Sequence, residues 1–477
     1  MQIVETWKAQ TMTTFGARAA HRLLAPFLMA SLSSVMVLPP AGAAPAIAAG
    51  PTITIGGLAS GGVRPGFVGL AFEASSLNSP IFTSPQSNLT GFLNELGPSN
   101  IRIGGTSSDT KTLWQPVPSI AMPPWVKVPV TPVELAGLAS VATAAHWSVD
   151  LGLNLYHYDP TTAAAEAKGA QSILGSTLRN LEIGNEPELY YAYGKPNYTY
   201  AKYLWQHAAY VRAISTAAPG VRIAGPDTYT SLWFGTLTPE GVSGDTTFTQ
   251  HFYPYYDCND APFSAQKLLS SDTFSIEHDF LTQANGLAHQ LGLPMVLNEV
   301  NSISCGATAP VQYQFASALW VTRALAQAAA LGAASINIQN VPGRCASYTP
   351  LCVPDPNAPA ILQPNPLFAG LQMVKSLEGG RFLGTTSSGL PSDVGLRALV
   401  MSNSQIKVLV TNCSTTPING LSLLRSPRLH VLSVERLSAS SLTSTLYAPP
   451  VTTTPSTDAP TGLSVAPMSA AIFTLSQ

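Results

Sequence analysis

Charged side chains are scarce in this chain. Asp, Glu, Lys and Arg together make up 10% of its 477 residues, and the formal net charge is −2. No run of lysine or arginine is long enough to contact a polyanion, so we expect no nucleic-acid partner. The apolar share is 45%, which excludes extensive disorder and allows a large buried core. The length suits two or three domains, or one large domain with an accessory one.

Cysteines are few, and their spacing does not match that of a metal site. The five cysteines lack a C-x-x-C pair, so the sequence predicts no bound metal, and we expect no organic cofactor. In an exported protein Cys345 and Cys352 would close a short loop as a disulfide. The odd number of cysteines leaves at least one thiol without an intramolecular partner.

The N-terminus has the pattern of an export signal. Basic residues precede an apolar run over 23–38, and Ala-x-Ala cleavage sites follow at 41–43 and 46–48. The alternative is a membrane anchor, but the run holds about 16 residues, short of the roughly 20 that span a bilayer. We therefore predict a cleaved signal peptide over 1–49 and a secreted, periplasmic or extracellular protein. After cleavage, no stable membrane association is expected.

Short apolar runs alternate with helical stretches from residue 67 onward. The runs cover residues 67–72, 100–103, 148–155, 179–183, 221–224, 247–252, 294–298 and 334–338. Such alternation indicates a parallel sheet covered on both faces by helices. Eight units predict an α/β fold, a (β/α)₈ TIM barrel over 67–370. The alternative is a doubly wound open sheet, which calls for a Gly-rich phosphate loop where this chain has Glu-Ala-Ser-Ser at 73–76.

The pattern changes after about residue 370. Strand-like runs at 397–401, 406–411, 428–434 and 470–475 are separated by turns rich in Ser, Thr, Pro and Gly. This spacing is typical of an antiparallel β-sandwich, which we assign to residues 371–477. The segment 50–66 precedes the first barrel strand and could add a strand to the sandwich.

Two of the predicted strands end in the same dipeptide, Asn-Glu. The first, Asn185-Glu186, lies between a glycine that permits a tight exit and a proline that prevents further sheet pairing. The second is Asn298-Glu299. Hydrolysis of a glycoside needs one acid to protonate the leaving oxygen and one carboxylate to meet the anomeric carbon. A single Asn-Glu is more often a turn or a helix cap, so the prediction depends on the pair.

Two further glutamates flank Glu186. Glu182 lies inside the apolar run, where we expect it to pair with a cation such as Arg102. Glu188 follows the proline and is expected to face solvent.

Four motifs carry a resemblance to a known family. They are Arg-Ile-Gly-Gly-Thr-Ser-Ser-Asp at 102–109, His-Phe-Tyr at 251–253, Asn-Glu-Val-Asn-Ser-Ile-Ser-Cys-Gly at 298–306 and Tyr-Thr-Pro at 348–350. Together they resemble glycoside hydrolase family 79, the β-glucuronidase and heparanase family. The two Asn-Glu pairs also resemble those of the larger group of retaining (β/α)₈ glycosidases.

The resemblance implies a role for individual residues. Glu186 would be the catalytic acid/base and Glu299 the nucleophile, oriented by Tyr253. Tyr348 would hold the sugar carboxylate. Family members often have a Gly-rich segment before this tyrosine, whereas this chain has Val-Pro-Gly-Arg-Cys-Ala-Ser at 341–347, so Arg344 could pair with the carboxylate directly. The candidate substrate-binding residues, from the motifs and the strand ends, are Glu73, Asp109, Asn185, Tyr229, Tyr253, Asn301, Arg344 and Tyr348.

The sequence thus predicts a retaining, exo-acting β-glucuronidase whose partners are glucuronides or glycans that contain glucuronic acid. An endo-acting, heparanase-like enzyme would need a cleft lined with Lys and Arg, and the barrel loops hold few of either. A β-glycosidase for a neutral sugar, of the same superfamily, is a further alternative. A carbohydrate-binding protein without catalysis is the non-enzyme alternative.

Overall fold

The computed structural model describes residues 50–256, 263–304, 310–343 and 345–476. The predicted signal peptide and Arg344 lie outside these residues.

Eight strands close into a barrel in chain order. They are β1 (Val68–Glu73), β2 (Asn100–Gly104), β3 (Ser148–Leu153), β4 (Leu178–Ile183), β5 (Ile223–Thr228), β6 (Asp245–Phe252), β7 (Met295–Val300) and β8 (Ser335–Gln339). All neighbours pair in parallel, and β8 pairs with β1. Every residue of β2 and of β7 is buried, as expected for strands covered on both faces. The predicted (β/α)₈ barrel is confirmed.

Helices cover the outside of the barrel. The longer ones are α1 (Leu89–Leu96), α2 (Pro132–Ala145), α3 (Pro160–Leu174), α4 (Tyr200–Ala217), α5 (Ser271–Leu291), α6 (Phe315–Ala330) and α7 (Pro366–Lys375). Single turns of α-helix lie at Pro80–Thr83, Thr106–Thr110 and Ala265–Leu268. Local sequence sets several of their starts. Thr131 and Glu134 form a capping box before α2, and the side chain of Asp159 caps α3.

One barrel helix is missing between β5 and β6. Residues 229–244 are all described and contain only a 3₁₀ turn, Pro239–Val242. Trp233 of this segment packs on Tyr200 and Tyr203 of α4, with ring centroids 5.3 and 5.0 Å apart. The indole thus supplies apolar cover that a helix supplies elsewhere.

A second sheet of nine strands forms the other domain. In spatial order its strands are Val451–Thr453, His430–Leu437, Ser469–Ser476, Ile406–Asn412, Val394–Val400, Gly380–Ser388, Thr52–Val63, Ile418–Leu424 and Leu463–Val465. The pairings are antiparallel except that Thr52–Val63 runs parallel to Ile418–Leu424. Residues from both ends of the order, including Leu421 and Val431, share one apolar core, so the sheet folds over itself as a sandwich. This confirms the second part of the fold prediction.

Short strand pairs, a disulfide and a thiol complete the description. The pairs join Thr112–Trp114 to Val128–Val130, Tyr255–Tyr256 to Ile303–Ser304, and Leu351–Cys352 to Gln363–Pro364. The predicted disulfide between Cys345 and Cys352 is present, in the loop after β8. Cys413 is a buried free thiol. Within the described residues, no helix combines the length and apolar composition that crossing a membrane requires.

Candidate active site

The two candidate catalytic glutamates face each other at the C-terminal end of the barrel. After β4 the chain turns sharply, and Glu186 adopts the left-handed conformation with φ +50°, which is rare for a residue with a side chain. Its backbone N–H donates to the carbonyl of Asp227 at 2.8 Å. A carboxylate oxygen of Glu186 and one of Glu299 lie within 4.8 Å of each other. This spacing is close to the roughly 5–5.5 Å of retaining glycosidases and well below the roughly 6.5–9.5 Å of inverting ones.

Arg102 of β2 is the buried cation beneath both glutamates. Its Nε donates to Glu182 Oε2 at 2.8 Å, which confirms the predicted pairing of these two residues. Its Nη1 donates to Glu299 Oε2 at 2.5 Å, and Nη2 donates to Asn185 Oδ1 at 2.9 Å. Asp227 lies 3.6 Å away. One guanidinium therefore fixes the position of residues from three strand ends.

The environment separates the pKa values of the two glutamates. Burial raises the pKa of Glu186 well above its usual value, and the charge of nearby Glu299 raises it further. Burial would also raise the pKa of Glu299, but the charge and hydrogen bond of Arg102 and the hydroxyl of Tyr253 favour its carboxylate and hold the pKa below its usual value. The site therefore favours a protonated Glu186 beside an ionised Glu299. This is the pattern of one acid and one nucleophile.

The hydrogen bonds of His251 fix its tautomer. The ring is fully buried, with Nε2 3.3 Å from Arg102 Nη2 and Nδ1 2.9 Å from Glu186 Oε1. A guanidinium can only donate, so Nε2 accepts, and the ring hydrogen is on Nδ1. Burial lowers the pKa of His251 to about 4, in agreement with a neutral ring. His251 therefore donates to Glu186 Oε1 and leaves Oε2 to carry the acidic proton.

Tyr253 contacts Glu299 and packs against two further tyrosines. The hydroxyl of Tyr253 donates to Glu299 Oε1 at 2.8 Å. The ring of Tyr253 contacts Tyr229 and Tyr348 edge to face, with centroids 5.9 and 6.3 Å apart. The structure thus brings together predicted site residues from the ends of β5, β6 and β8.

The two glycines of the Arg-Ile-Gly-Gly motif give the site its close packing. A Cβ on Gly104 would lie 2.4 Å from the guanidinium carbon of Arg102. Gly105 has φ +72°, and a Cβ there would lie 2.4 Å from Glu73 Oε1. Glu73 is half-buried and accepts hydrogen bonds from the Ser107 N–H at 2.9 Å and from Gln339 Nε2 at 3.3 Å. Burial, and then the charge of Glu299, raise its pKa.

Two predicted sugar contacts instead support the site from behind. Asp109 is buried, and its carboxylate accepts hydrogen bonds from the N–H groups of Leu155, Tyr156 and Asn185 and from the hydroxyl of Tyr190. Asn301 is fully buried, and its amide donates to the carbonyls of Gln339 and Tyr348. Asp109 thereby positions Asn185, and Asn301 positions the loop that carries Tyr348.

The prediction that Glu188 faces solvent is wrong. The residue is 2% exposed. Its Oε1 accepts from the N–H groups of Tyr229 at 2.6 Å and Thr230 at 2.8 Å. Burial raises its pKa to about 7. These backbone donors belong to the loop after β5. Glu188, which follows the proline, therefore points inward and holds that loop in place.

Asn298 and Asp227 complete the network, although the sequence analysis assigned no role to either side chain. The amide of Asn298 donates to Asp227 Oδ1 at 2.6 Å and to Glu182 Oε1 at 3.1 Å. Asn298 and Asp227 both lie at predicted strand ends, and this position was a sequence signal that they belong to the site. Their mutual contact joins β5 to β7 and was not readable from either stretch alone.

One group of side chains has the composition of a metal site. Glu186, His251 and Glu299 each offer a ligand atom, all within 4.8 Å of one another. The guanidinium of Arg102 lies against both Glu299 and His251, and its fixed positive charge disfavours a divalent cation there. The arrangement suits one acid and one nucleophile better than it suits metal binding.

Comparisons with known proteins agree on the architecture. No protein-family model matches this sequence, and no curated protein sequence is similar to it. Among solved structures, a 4-O-α-L-rhamnosyl-β-D-glucuronidase from Fusarium oxysporum, in complex with Rha-GlcA, is similar with a TM-score of 0.69 at 15% identity, over 89% of this chain and 100% of that chain. A family 51 α-L-arabinofuranosidase from Bifidobacterium longum has a TM-score of 0.66 at 13% identity, over 89% and 99%.

A third similar structure is a family 44 xyloglucanase from Paenibacillus polymyxa, with a TM-score of 0.61 at 11% identity, over 90% of this chain and 99% of that chain. These neighbours are glycoside hydrolases by name. At such low identity the likeness establishes the shared fold, in which barrel and sandwich are matched over nearly the whole chain.

Proposed function

We propose that this protein is a secreted retaining glycoside hydrolase, an exo-acting β-glucuronidase that removes terminal β-linked glucuronic acid. The observation that carries the proposal is the pairing of Glu186 and Glu299 within 4.8 Å, with the pKa of the first raised and that of the second lowered. A retaining mechanism needs this spacing and this division between acid and nucleophile.

In the first step of the proposed mechanism, Glu299 attacks the anomeric carbon and forms a covalent glycosyl ester. The bond to the aglycone breaks, and the aglycone oxygen takes the proton from Glu186 Oε2. Asn185 Oδ1 accepts from Arg102, so its Nδ2 is the atom left to donate to the sugar 2-hydroxyl. That hydrogen bond stabilises the transition state as positive charge develops on the sugar.

In the second step, Glu186 acts as a base. Once Glu299 is esterified, its negative charge is gone, and the electrostatic contribution that raised the pKa of Glu186 disappears with it. Glu186, now a carboxylate, takes a proton from water, and the water oxygen attacks the anomeric carbon. Glu299 leaves as a carboxylate, and Arg102 and Tyr253 again stabilise its charge.

The glucuronide specificity is supported by the loop of Tyr348 and by the neighbour solved with Rha-GlcA. In this proposal Tyr348, with Arg344 nearby in the chain, holds the sugar carboxylate.

A glycosidase for a neutral sugar is the second candidate, and one observation favours it. Arg102, the buried cation at the two glutamates, is already engaged by Glu182, Asn185 and Glu299. It therefore has little capacity left to bind a uronate.

A panel of aryl glycosides tests the proposal: β-glucuronide, β-glucoside, β-galactoside, β-xyloside and α-L-arabinofuranoside. We expect the highest kcat/KM on the glucuronide, with a loss of several orders of magnitude in Glu186→Gln and Glu299→Gln. Azide should partly rescue Glu299→Gly and give an α-glycosyl azide.

Other outcomes would each reject part of the proposal. A β-configured azide product would contradict Glu299 as the nucleophile. Preference for the glucoside or the arabinofuranoside would favour the neutral-sugar candidate. Internal cleavage of a uronic-acid polymer would indicate endo action, and glycan binding without turnover would leave only a carbohydrate-binding protein.

A further inference from the structure

A polar cavity lies at the interface between the barrel and the sandwich, away from the active site. It has a volume of about 290 Å³ and is bounded by α6 and by the strands Gly380–Ser388, Val394–Val400 and Ile406–Asn412. Its polar lining comes from Arg323, Gln327, Thr385, Ser387, Arg397 and Thr411. None of these residues belongs to the network around the two glutamates.

Buried polar atoms at and beside this cavity have no protein partner. Thr411 is 1% exposed, and its hydroxyl oxygen makes no hydrogen bond. The Nε atom of Arg397 is likewise buried and unpartnered, as is Oε2 of Glu277 on α5, whose carboxyl interacts with both arginines. Buried polar atoms are nearly always satisfied, so several orphans around one cavity point to a missing polar occupant.

The charge at the cavity is positive. Arg323 is held in place by its Nη1, which donates to the Asp393 carbonyl at 2.9 Å, and by the ring of Phe274, whose centroid lies 3.8 Å from the guanidinium carbon. Arg397 is tied by Nη1 to the Leu396 carbonyl at 2.7 Å. Both guanidinium groups are therefore oriented by the protein itself.

The carboxyl group of Glu277 does not balance this charge. Burial raises the pKa of Glu277 well above its usual value, despite the opposing effect of Arg323 and Arg397. Burial, followed by the like charge of Arg323, lowers the pKa of Arg397. Two like charges are thus kept close together with a carboxyl group that favours its neutral form. A negatively charged occupant would relieve this repulsion.

We propose that the cavity is a binding site for a small oxyanion, a carboxylate or a phosphate, held by Arg323 and Arg397 with the hydroxyl of Thr411. Guanidinium and hydroxyl groups are the donors that recognise such anions, and two of the lining residues, Arg397 and Thr411, each hold an unpartnered polar atom. The volume of about 290 Å³ greatly exceeds the roughly 30 Å³ that one water occupies in the liquid. A bound anion would bridge α6 and the sandwich and so stabilise the interface between the domains.

Thermal unfolding of the full-length protein tests this site. Melting temperatures are measured against rising phosphate, sulfate, acetate and glucose at constant ionic strength set with chloride. We expect a saturable rise of Tm with at least one of the three oxyanions and none with glucose. Saturation by phosphate or sulfate alone would assign a tetrahedral anion, and saturation by acetate a carboxylate ligand.

Variants connect the effect to this cavity. Arg397→Gln should abolish the anion-dependent rise of Tm, and Thr411→Val should weaken it. Arg381→Gln is the matched control, since Arg381 is exposed on the neighbouring strand and should behave as wild type. If Arg397→Gln does not fold, calorimetric titration of the anion into wild type and Thr411→Val decides. The absence of a saturable response in wild type, or an equal response in Arg397→Gln, would overturn the proposal.

Discussion

His251 Nδ1 lies 2.9 Å from Glu186 Oε1, although the imidazole is fully buried and makes its other contact with a guanidinium. The ring is therefore a neutral donor with a fixed hydrogen, and it selects which oxygen of Glu186 can carry a proton. The hydroxyl of Tyr253 likewise donates a hydrogen bond to one oxygen of Glu299, Oε1. Each of these two hydrogen bonds should affect a different limb of the pH profile of activity.

The proposed mechanism gives a bell-shaped pH profile of kcat/KM. Activity should rise with pH as Glu299 loses its proton and fall as Glu186 loses its own. The pKa of Glu299 is lowered and that of Glu186 raised, so the active window extends beyond both sides of the usual carboxyl range. A profile without an alkaline limb in the wild-type enzyme would contradict Glu186 as the acid.

Replacing His251 with Phe should move the alkaline limb. The lost N–H donor favours the carboxylate form of Glu186, so its removal raises the pKa of Glu186 and shifts this limb to higher pH. A hydrogen bond to a charged group is worth about 1.5–3 kcal/mol, so kcat should fall about 10- to 100-fold. The measurement is the pH profile of kcat/KM on an aryl glycoside that the enzyme cleaves.

Replacing Tyr253 with Phe should move the other limb. Without the hydroxyl, the carboxylate of Glu299 loses a donor, its pKa rises, and the acidic limb shifts to higher pH. The alkaline limb should stay in place, which makes this variant the matched control for His251→Phe. If both variants moved the same limb, the assignment of acid and nucleophile would be wrong.

The activity that remains in Glu186→Gln should depend strongly on the leaving group of the substrate. A dinitrophenolate departs without a proton, so the first step should survive in this variant and produce a burst of dinitrophenol before slow turnover. With an alkyl aglycone the same variant should be inactive, because departure of an alkoxide needs the acid. Stopped-flow measurement with both substrates checks this, and equal losses with the two leaving groups would reject the role of Glu186.

Arg102→Met should destabilise the fold as well as abolish activity. Its removal leaves Glu182 and Glu299 as buried carboxylates without their cation, and breaking such a pair typically costs about 3–5 kcal/mol. Arg102→Lys keeps the charge but not the planar fork, so we expect an intermediate loss. The free energy of unfolding in urea is the measurement, and exposed Arg381→Gln should change it by less than about 0.5 kcal/mol.

Glu166 on α3 should make stability fall as pH rises. Burial raises the pKa of its carboxyl to about 8, so the folded state holds a proton that the unfolded state releases near pH 4.5. The contribution of this carboxyl to the free energy of unfolding is therefore fully present below about pH 4.5 and decreases between about pH 4.5 and 8, by on the order of 5 kcal/mol.

Glu166→Gln should remove this dependence, seen as a smaller difference in unfolding free energy between pH 5 and pH 9. Exposed Glu240→Gln is the control and should retain the wild-type slope. A slope in Glu166→Gln equal to that of wild type would show that other groups cause it.

Much of the architecture was predictable because it is encoded locally. Apolar runs of strand length alternate with helical stretches, and this pattern predicts the barrel without any knowledge of contacts. The exception between β5 and β6 was harder to interpret, since Trp233 replaces a helix through packing with residues 30 or so positions earlier. Long-range packing of this kind has no periodic signature.

The supporting residues of the site were less predictable. Asp109 and Asn301 have the polarity of sugar ligands, and only the structure shows that their hydrogen bonds go to backbone groups of other loops. Glu188 was assigned to solvent because it follows a proline, yet its carboxylate meets N–H groups 41 and 42 residues away. In each case the deciding partner is distant in the chain.

The sequence by itself determined the two strand ends that present Glu186 and Glu299, because apolar runs, glycine and proline act within a few residues. The tertiary structure decided which of those two carboxyl groups holds a proton and which is ionised. Arg102 and Tyr253 come from two other places in the chain, and together with burial they separate the two pKa values. The charge of a buried group depends on its distance to such neighbours and on exclusion of water, and neither exists until the barrel closes.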